Sequence, residues 1–129
     1  MLMKKTAIWG LLSIFSVTLV FHGLVLLHVI PVSLVWGGKI GDHRHVIVLE
    51  FVSLFVNAVF LGVALIKADY LKITISSKTM HIVFWIMAVL FLLNTLGNSL
   101  SENSIEKFVF APLTLLVSLC CFLLIASKE

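Results

Sequence analysis

The stretch VIVLEFVSLFVNAVFLGVALI, residues 46–66, carries a single charged residue, Glu50, in an otherwise apolar run. About 20 such residues in helical form cross a hydrocarbon layer roughly 30 Å thick. Three more runs, at 7–30, 80–97 and 108–126, match it in character. Lipid leaves the backbone two ways to pair its N–H and C=O groups, the helix and the closed barrel. Barrel strands would alternate apolar and polar residues, and these runs do not. The expected fold class is therefore all-α, a four-transmembrane-helix bundle. It forms a single integral membrane domain over 1–129, with helices at about 7–30, 46–66, 80–97 and 104–126.

Composition points the same way. The chain is 61% hydrophobic and 12% charged, whereas soluble domains carry about 25% charged residues. MLMKK followed by TAIWGLLSIFSVTLV has the basic start and apolar middle of a secretory signal. The continuation FHGLVLLHVIP offers no small-x-small cleavage site, so the run reads as a retained first helix. The net charge of +3 does not indicate nucleic-acid binding, because the positive residues sit at helix ends. Lys4, Lys5, Lys67, Lys72, Lys78 and Lys128 fall on one side, against Lys39, Arg44 and Lys107 on the other. That imbalance predicts both termini in the cytoplasm, with Lys67 able to snorkel from within the second helix.

Connections and helix ends can be read next. Pro31 should end the first helix. In the loop WGGKIGDHRHVIVLE, residues 36–50, Trp36 suits the headgroup level and Gly37-Gly38 permit a turn. Gly97 is a plausible stop for the third helix. Asn103 with Glu106 resembles a capping box for the fourth, in which Pro112 should produce a kink. Gly10, Ser13 and Ser16 on the first helix, and Thr114, Ser118 and Cys121 on the fourth, form small-residue stripes at helical spacing. Such stripes let membrane helices approach closely.

Polar groups at membrane depth are costly and raise a functional question. With both termini inside, His22 lies roughly 22 Å along the first helix and Glu50 roughly 6 Å below the outer boundary. Asn94, Asn98 and Thr114 come to similar levels. Glu50, Ser53 and Asn57 share one side of the second helix. The expectation is an outer-leaflet polar layer of Glu50, His22, Ser53, Asn57, Asn94, Asn98 and Thr114. It is either a structural network or a ligand or proton site.

Other chemistries are thinner. His43 and His45, with His28 and Glu50, are candidate zinc or copper ligands, but H-x-H lacks a further spaced ligand, and no metal is expected. Haem needs facing histidines, and His22 and His81 lie in opposite halves. Cys120 and Cys121 are adjacent, with no C-x-x-C spacing. No nucleophile–base pair or phosphate-cradling loop is evident, so no catalytic residue and no cofactor are expected.

The segments IPVSLVWGGKI, LEFVSLFVNAVFLGVALIKA and LLNTLGNSLSENSIEKFVFAPLTLL resemble a group of small bacterial four-helix integral membrane proteins. That group carries a WGG loop and an NTxGN end to the third helix, and no activity is assigned to it. The resemblance implies the architecture and a bacterial cytoplasmic membrane, and carries over no functional residue. Small multidrug transporters share size and helix number, but their membrane glutamate belongs in the first helix, which has none here. Two readings stand. One is a structural or accessory subunit packing against itself or a membrane partner; the other is a ligand-binding or proton-linked transport protein built around Glu50.

Overall fold

The computed structural model describes residues 1–36 and 42–127, apart from the His43 side chain. The Gly37-Gly38 turn, Lys39 and Lys128 fall outside the described residues. The described residues form an all-helical fold, with α1 at Leu2–Leu26, α2 at His43–Lys67, α3 at Ser77–Ser99 and α4 at Ala111–Ala126. A π turn, Glu106–Phe110, leads into α4, and a short 3₁₀ turn, Val32–Leu34, lies between α1 and α2. Among the described residues four helices are long and apolar enough to cross a membrane.

Burial shows which solvent these helices are built for. Only 17–28% of each span is buried within the protein. The outward surfaces are apolar, with Phe51 and Phe55 of α2, Leu93 and Leu96 of α3 and Phe108 and Leu116 beside them all exposed. Water would penalise that surface at about 25 cal/mol per Å², whereas lipid does not. The chain is a multi-pass membrane protein.

Helix ends differ from the expected ones for local reasons. α1 stops at Leu26 rather than near Pro31, because His28 adopts a left-handed conformation (φ 58). His28 N–H donates to Val25 O and Val29 N–H to Leu24 O, the paired bonds of a Schellman exit. α2 ends in the same way at Asp69 (φ 64), with Asp69 N–H on Ile66 O and Tyr70 N–H on Leu65 O. Gly97 does not stop α3. It lacks the left-handed conformation of a C-terminal glycine, and the helix continues to Ser99.

The approach to α4 also departs from expectation. Asn103 Oδ1 accepts from Ile105 N–H as a cap should, but Asn103 N–H donates to Ser101 Oγ. Ser101 donates in turn to the Glu106 carboxylate, so a serine stands between the two members of the expected box. Pro112 is met by the π turn and occupies the first turn of the α segment that follows. There its missing N–H costs least, so the proline marks a change of helix type where a kink was expected.

α1 packs on α2 and α4, and α4 packs on α3. At mid-depth Phe15 of α1 meets Phe60 of α2 at 5.9 Å and Phe91 of α3 at 5.6 Å, and those two meet each other at 5.7 Å. This aromatic triad lets α2 and α3 touch through side chains. The fourth-helix stripe is an interface, with Ser118 and Cys121 buried and Ser118 Oγ–H donating to Ala88 O of α3 at 2.8 Å. The first-helix stripe is not one. Gly10 does approach α4, since a Cβ there would lie 3.2 Å from Cys120 Sγ, but Ser13 and Ser16 are exposed. α1 instead packs through Ala7, Leu11 and Phe15, one turn apart.

Candidate functional site

Glu50 is placed by the start of α2. Asp42 caps that helix by accepting from Arg44 N–H at 3.0 Å. The register that follows turns Val46, Glu50 and Asn57 inward on one face. Val46 packs with Val25 and Val35, which closes the connection after α1 over this face. Glu50 is 1% exposed, yet both of its oxygens are engaged. His22 Nδ1 of α1 lies 2.6 Å from Oε2, and the Trp36 indole N–H donates to Oε1 at 2.8 Å.

The connection between α1 and α2 is what delivers Trp36. After the left-handed exit at His28, the chain passes through the 3₁₀ turn and the buried Val35 and returns to α2. Trp36 itself has φ 55. A bulky aromatic in that region is an outlier and costs of order 1–3 kcal/mol. The buried carboxyl group offsets the strain by giving the indole N–H an acceptor. A second loop is tied to the first by Asn103 Nδ2–H, which donates to Ser33 O at 3.1 Å. Phe21 lies edge-on between His22 at 5.5 Å and Phe110 of the π turn at 5.0 Å. His22 is thus held by Glu50 of α2, and the Phe21 ring beside it ties α1 to the approach to α4.

The expected polar layer divides into separate units. His22 and Glu50 come together. Asn57 is buried but donates to Ser53 O of its own helix at 2.8 Å, with Ser53 half-buried beside it. Asn94 is exposed on α3 and Asn98 half-buried, and the described contacts of Glu50 come from α1 and the loop. Thr114 pairs with Thr95 of α3 across 3.0 Å, a link that serves the α3–α4 interface. The reckoned depths put these residues in one layer, but helix order separates them, because α3 packs on α4 while Glu50 is served by α1.

The histidines elsewhere have other roles. His45 Nδ1 lies 3.2 Å from Asp42 Oδ2 in an exposed pair, and His28 is exposed at the end of α1. The His43 side chain lies outside the described residues. His81 Nε2, near the opposite end, accepts from Trp85 Nε1–H at 3.2 Å. Among the described residues no group of three or more His, Cys, Asp or Glu side chains is placed to hold a metal ion.

Sequence reasoning missed Trp36 as a partner of Glu50 and took it for a headgroup anchor. Its ring is 37% exposed while its N–H turns in to Glu50. It also missed Glu106 as a buried acid; this side chain is 8% exposed and accepts from Ser101. Chemically, the Glu50 unit is a carboxylate–imidazole pair sealed by an indole. It can share a proton across the 2.6 Å contact, and it can fix the geometry of the surrounding loop. Neither of the two best-formed clefts includes Glu50 among its lining residues. No family model, curated protein or solved structure matches the chain.

Proposed function

We propose that the protein is a structural or accessory subunit of a membrane, in which the Glu50–His22–Trp36 unit pins the first interhelical connection onto the bundle. One observation carries this reading: Glu50 is 1% exposed with both oxygens taken up by side chains of the same protein. A ligand or transported ion would have to displace one of those partners. Its surfaces for other molecules are then the lipid-facing helices, which meet the bilayer, a second copy or a membrane partner.

A second reading is favoured by the short carboxylate–imidazole contact at membrane depth, a unit suited to proton-linked transport or to binding a small cation. Proteoliposomes containing a pH-sensitive dye separate the two. The structural reading expects equal proton flux from the wild type and from Glu50→Gln under an imposed gradient. A flux present in the wild type and lost in a well-folded Glu50→Gln protein overturns it.

The resemblance to small bacterial membrane proteins supports a place in the bacterial cytoplasmic membrane, and the lysine asymmetry supports cytoplasmic termini. Lys4, Lys5, Lys67, Lys72 and Lys78 belong to the end where Trp9 meets Tyr70 at 6.3 Å, while Arg44 and Lys107 belong to the other. In a Cys120→Ala, Cys121→Ala background, a membrane-impermeant maleimide applied outside intact cells should label Gly41→Cys and leave Thr74→Cys unmodified. The reverse pattern inverts the orientation.

A further inference from the structure

Within NTLGN, residues 94–98 near the Glu50 end of α3, Thr95 is accounted for by its bond to Thr114, but Asn94 and Gly97 are not. Asn94 is exposed, and among the described residues its side chain has no hydrogen-bond partner. Asn57 of α2, by contrast, turns its amide onto its own helix. Exposed apolar residues surround Asn94 along α3, with Leu93 and Leu96 beside it and Leu100 beyond. An amide that faces lipid with no partner is costly. Gly97 is exposed as well, and a Cβ there would meet nothing within 4 Å, so the bundle itself gives no reason for glycine. Glycine inside a helix weakens it relative to alanine. In membrane helices it is favoured where the backbone of another helix comes close.

We propose that the protein forms a parallel dimer through this part of α3, with Asn94 hydrogen-bonded to the Asn94 of a second copy and Gly97 at the closest approach. Such a dimer builds on the structural or accessory reading and gives that subunit its partner. Leu90, Asn94 and Gly97 follow one another at spacings of four and three residues. That is the seam of two paired helices, in which equivalent positions of a parallel pair face each other. Two copies inserted alike hold Asn94 at equal depth. An amide carries both donors and an acceptor, so it can pair with its own copy across a two-fold axis. Ile86, Leu90 and Leu93 line an apolar groove of about 420 Å³ along the same side of α3, which gives the second copy's leucines a seat. The basic residues of α3, Lys78 and His81, lie roughly 140–160° around the helix from Asn94, so the contact brings no like charges of α3 together. Met87, two turns below Asn94, is buried in the bundle. The two α3 helices therefore meet near the Glu50 end and diverge below it.

The test uses the full chain in a Cys120→Ala, Cys121→Ala background, reconstituted into liposomes at falling protein-to-lipid ratio. Energy transfer between copies labelled with donor or acceptor at Thr74→Cys reports association. Asn94→Ala and Gly97→Leu should each raise the ratio at half-association roughly tenfold, with helix content unchanged. Leu92→Ala, on the opposite side of α3 and 41% exposed, should leave it within about twofold. Gly97→Leu fills open space in the single chain, so it carries the comparison if Asn94→Ala does not fold. Mild oxidation of isolated membranes should join Leu90→Cys copies through a disulfide and leave Leu92→Cys copies unjoined. A chain that stays monomeric at every ratio, a dimer indifferent to both Asn94→Ala and Gly97→Leu, or equal cross-linking at positions 90 and 92 would each overturn the proposal. The proton-flux comparison with Glu50→Gln separates this contact from the reading it builds on. A Glu50-dependent flux beside an intact dimer defeats the structural reading alone, and a monomer without such flux defeats the dimer alone.

Discussion

Glu50→Ala should destabilise the protein by roughly 2–4 kcal/mol, whereas Glu50→Gln should cost about 1 kcal/mol or less. Alanine leaves two groups behind. The Trp36 indole N–H and the His22 Nδ1 lose the only partner described for them at this site. Each unsatisfied buried group costs about 1–3 kcal/mol, tempered at Trp36 because its ring is 37% exposed and can turn toward the interface. Truncation also removes side-chain volume from a position that is 1% exposed. Glutamine keeps the shape and can satisfy both partners. Its carbonyl oxygen accepts from Trp36, and its amide donates to Nδ1 of a neutral His22. Unfolding in detergent, followed by far-ultraviolet circular dichroism, measures both variants. If glutamine is as costly as alanine, the site depends on the negative charge, and an ion pair rather than a hydrogen-bonded seal holds the loop. A companion prediction separates the partners. His22→Ala and Trp36→Phe should each be milder than Glu50→Ala, since each removes one bond and leaves the other.

How much of this was legible beforehand follows from what one chain can encode locally. Apolar run length depends on the thickness of the bilayer, so the four spans near 7–30, 46–66, 80–97 and 104–126 could be read directly, and four matching helices form. Boundaries were less secure, because the Schellman exits at His28 and Asp69 use residues without glycine's sequence signal. Depth was also readable, since rise per residue is fixed, and it brought His22 to the level of Glu50. Azimuth relative to neighbouring helices was not. Periodicity says that Glu50 and Asn57 share a face, but not whether α1 or α3 lies opposite. The choice of α1 for Glu50 and of α4 for α3 is a tertiary outcome of where Phe15, Ala88 and Ser118 pack. Trp36 was hidden for a related reason. It lies fourteen positions from Glu50, beyond any helical spacing, on a loop whose return depends on a left-handed backbone.

The two small-residue stripes, alike in sequence, should behave in opposite ways when enlarged. Ser118→Leu should destabilise the bundle by roughly 2–4 kcal/mol, while Ser13→Leu should change stability by about 0.5 kcal/mol or less. Ser118 is 1% exposed at the point where α4 crosses Ala88, which is fully buried, and its hydroxyl spans the gap at 2.8 Å. Leucine removes that bond, worth about 0.6–1.7 kcal/mol between membrane helices. It also forces branched carbon into a contact with no spare volume, at about 1–3 kcal/mol. Ser118→Ala isolates the first of these effects and should fall at its lower end, because the Ala88 carbonyl keeps its helical bond within α3. Ser13 faces outward, so leucine there exchanges a hydroxyl for surface that lipid accepts. Unfolding titrations of the three variants against the wild type in one detergent decide the matter. A large loss at Ser13→Leu would mean that the outer face of α1 is itself occupied, by a second copy or a membrane partner, and would locate the contact that an accessory subunit needs. With Ser118→Leu costly and Ser13→Leu silent, the internal seam is α3 against α4, and the Ser13 face of α1 is one that lipid covers.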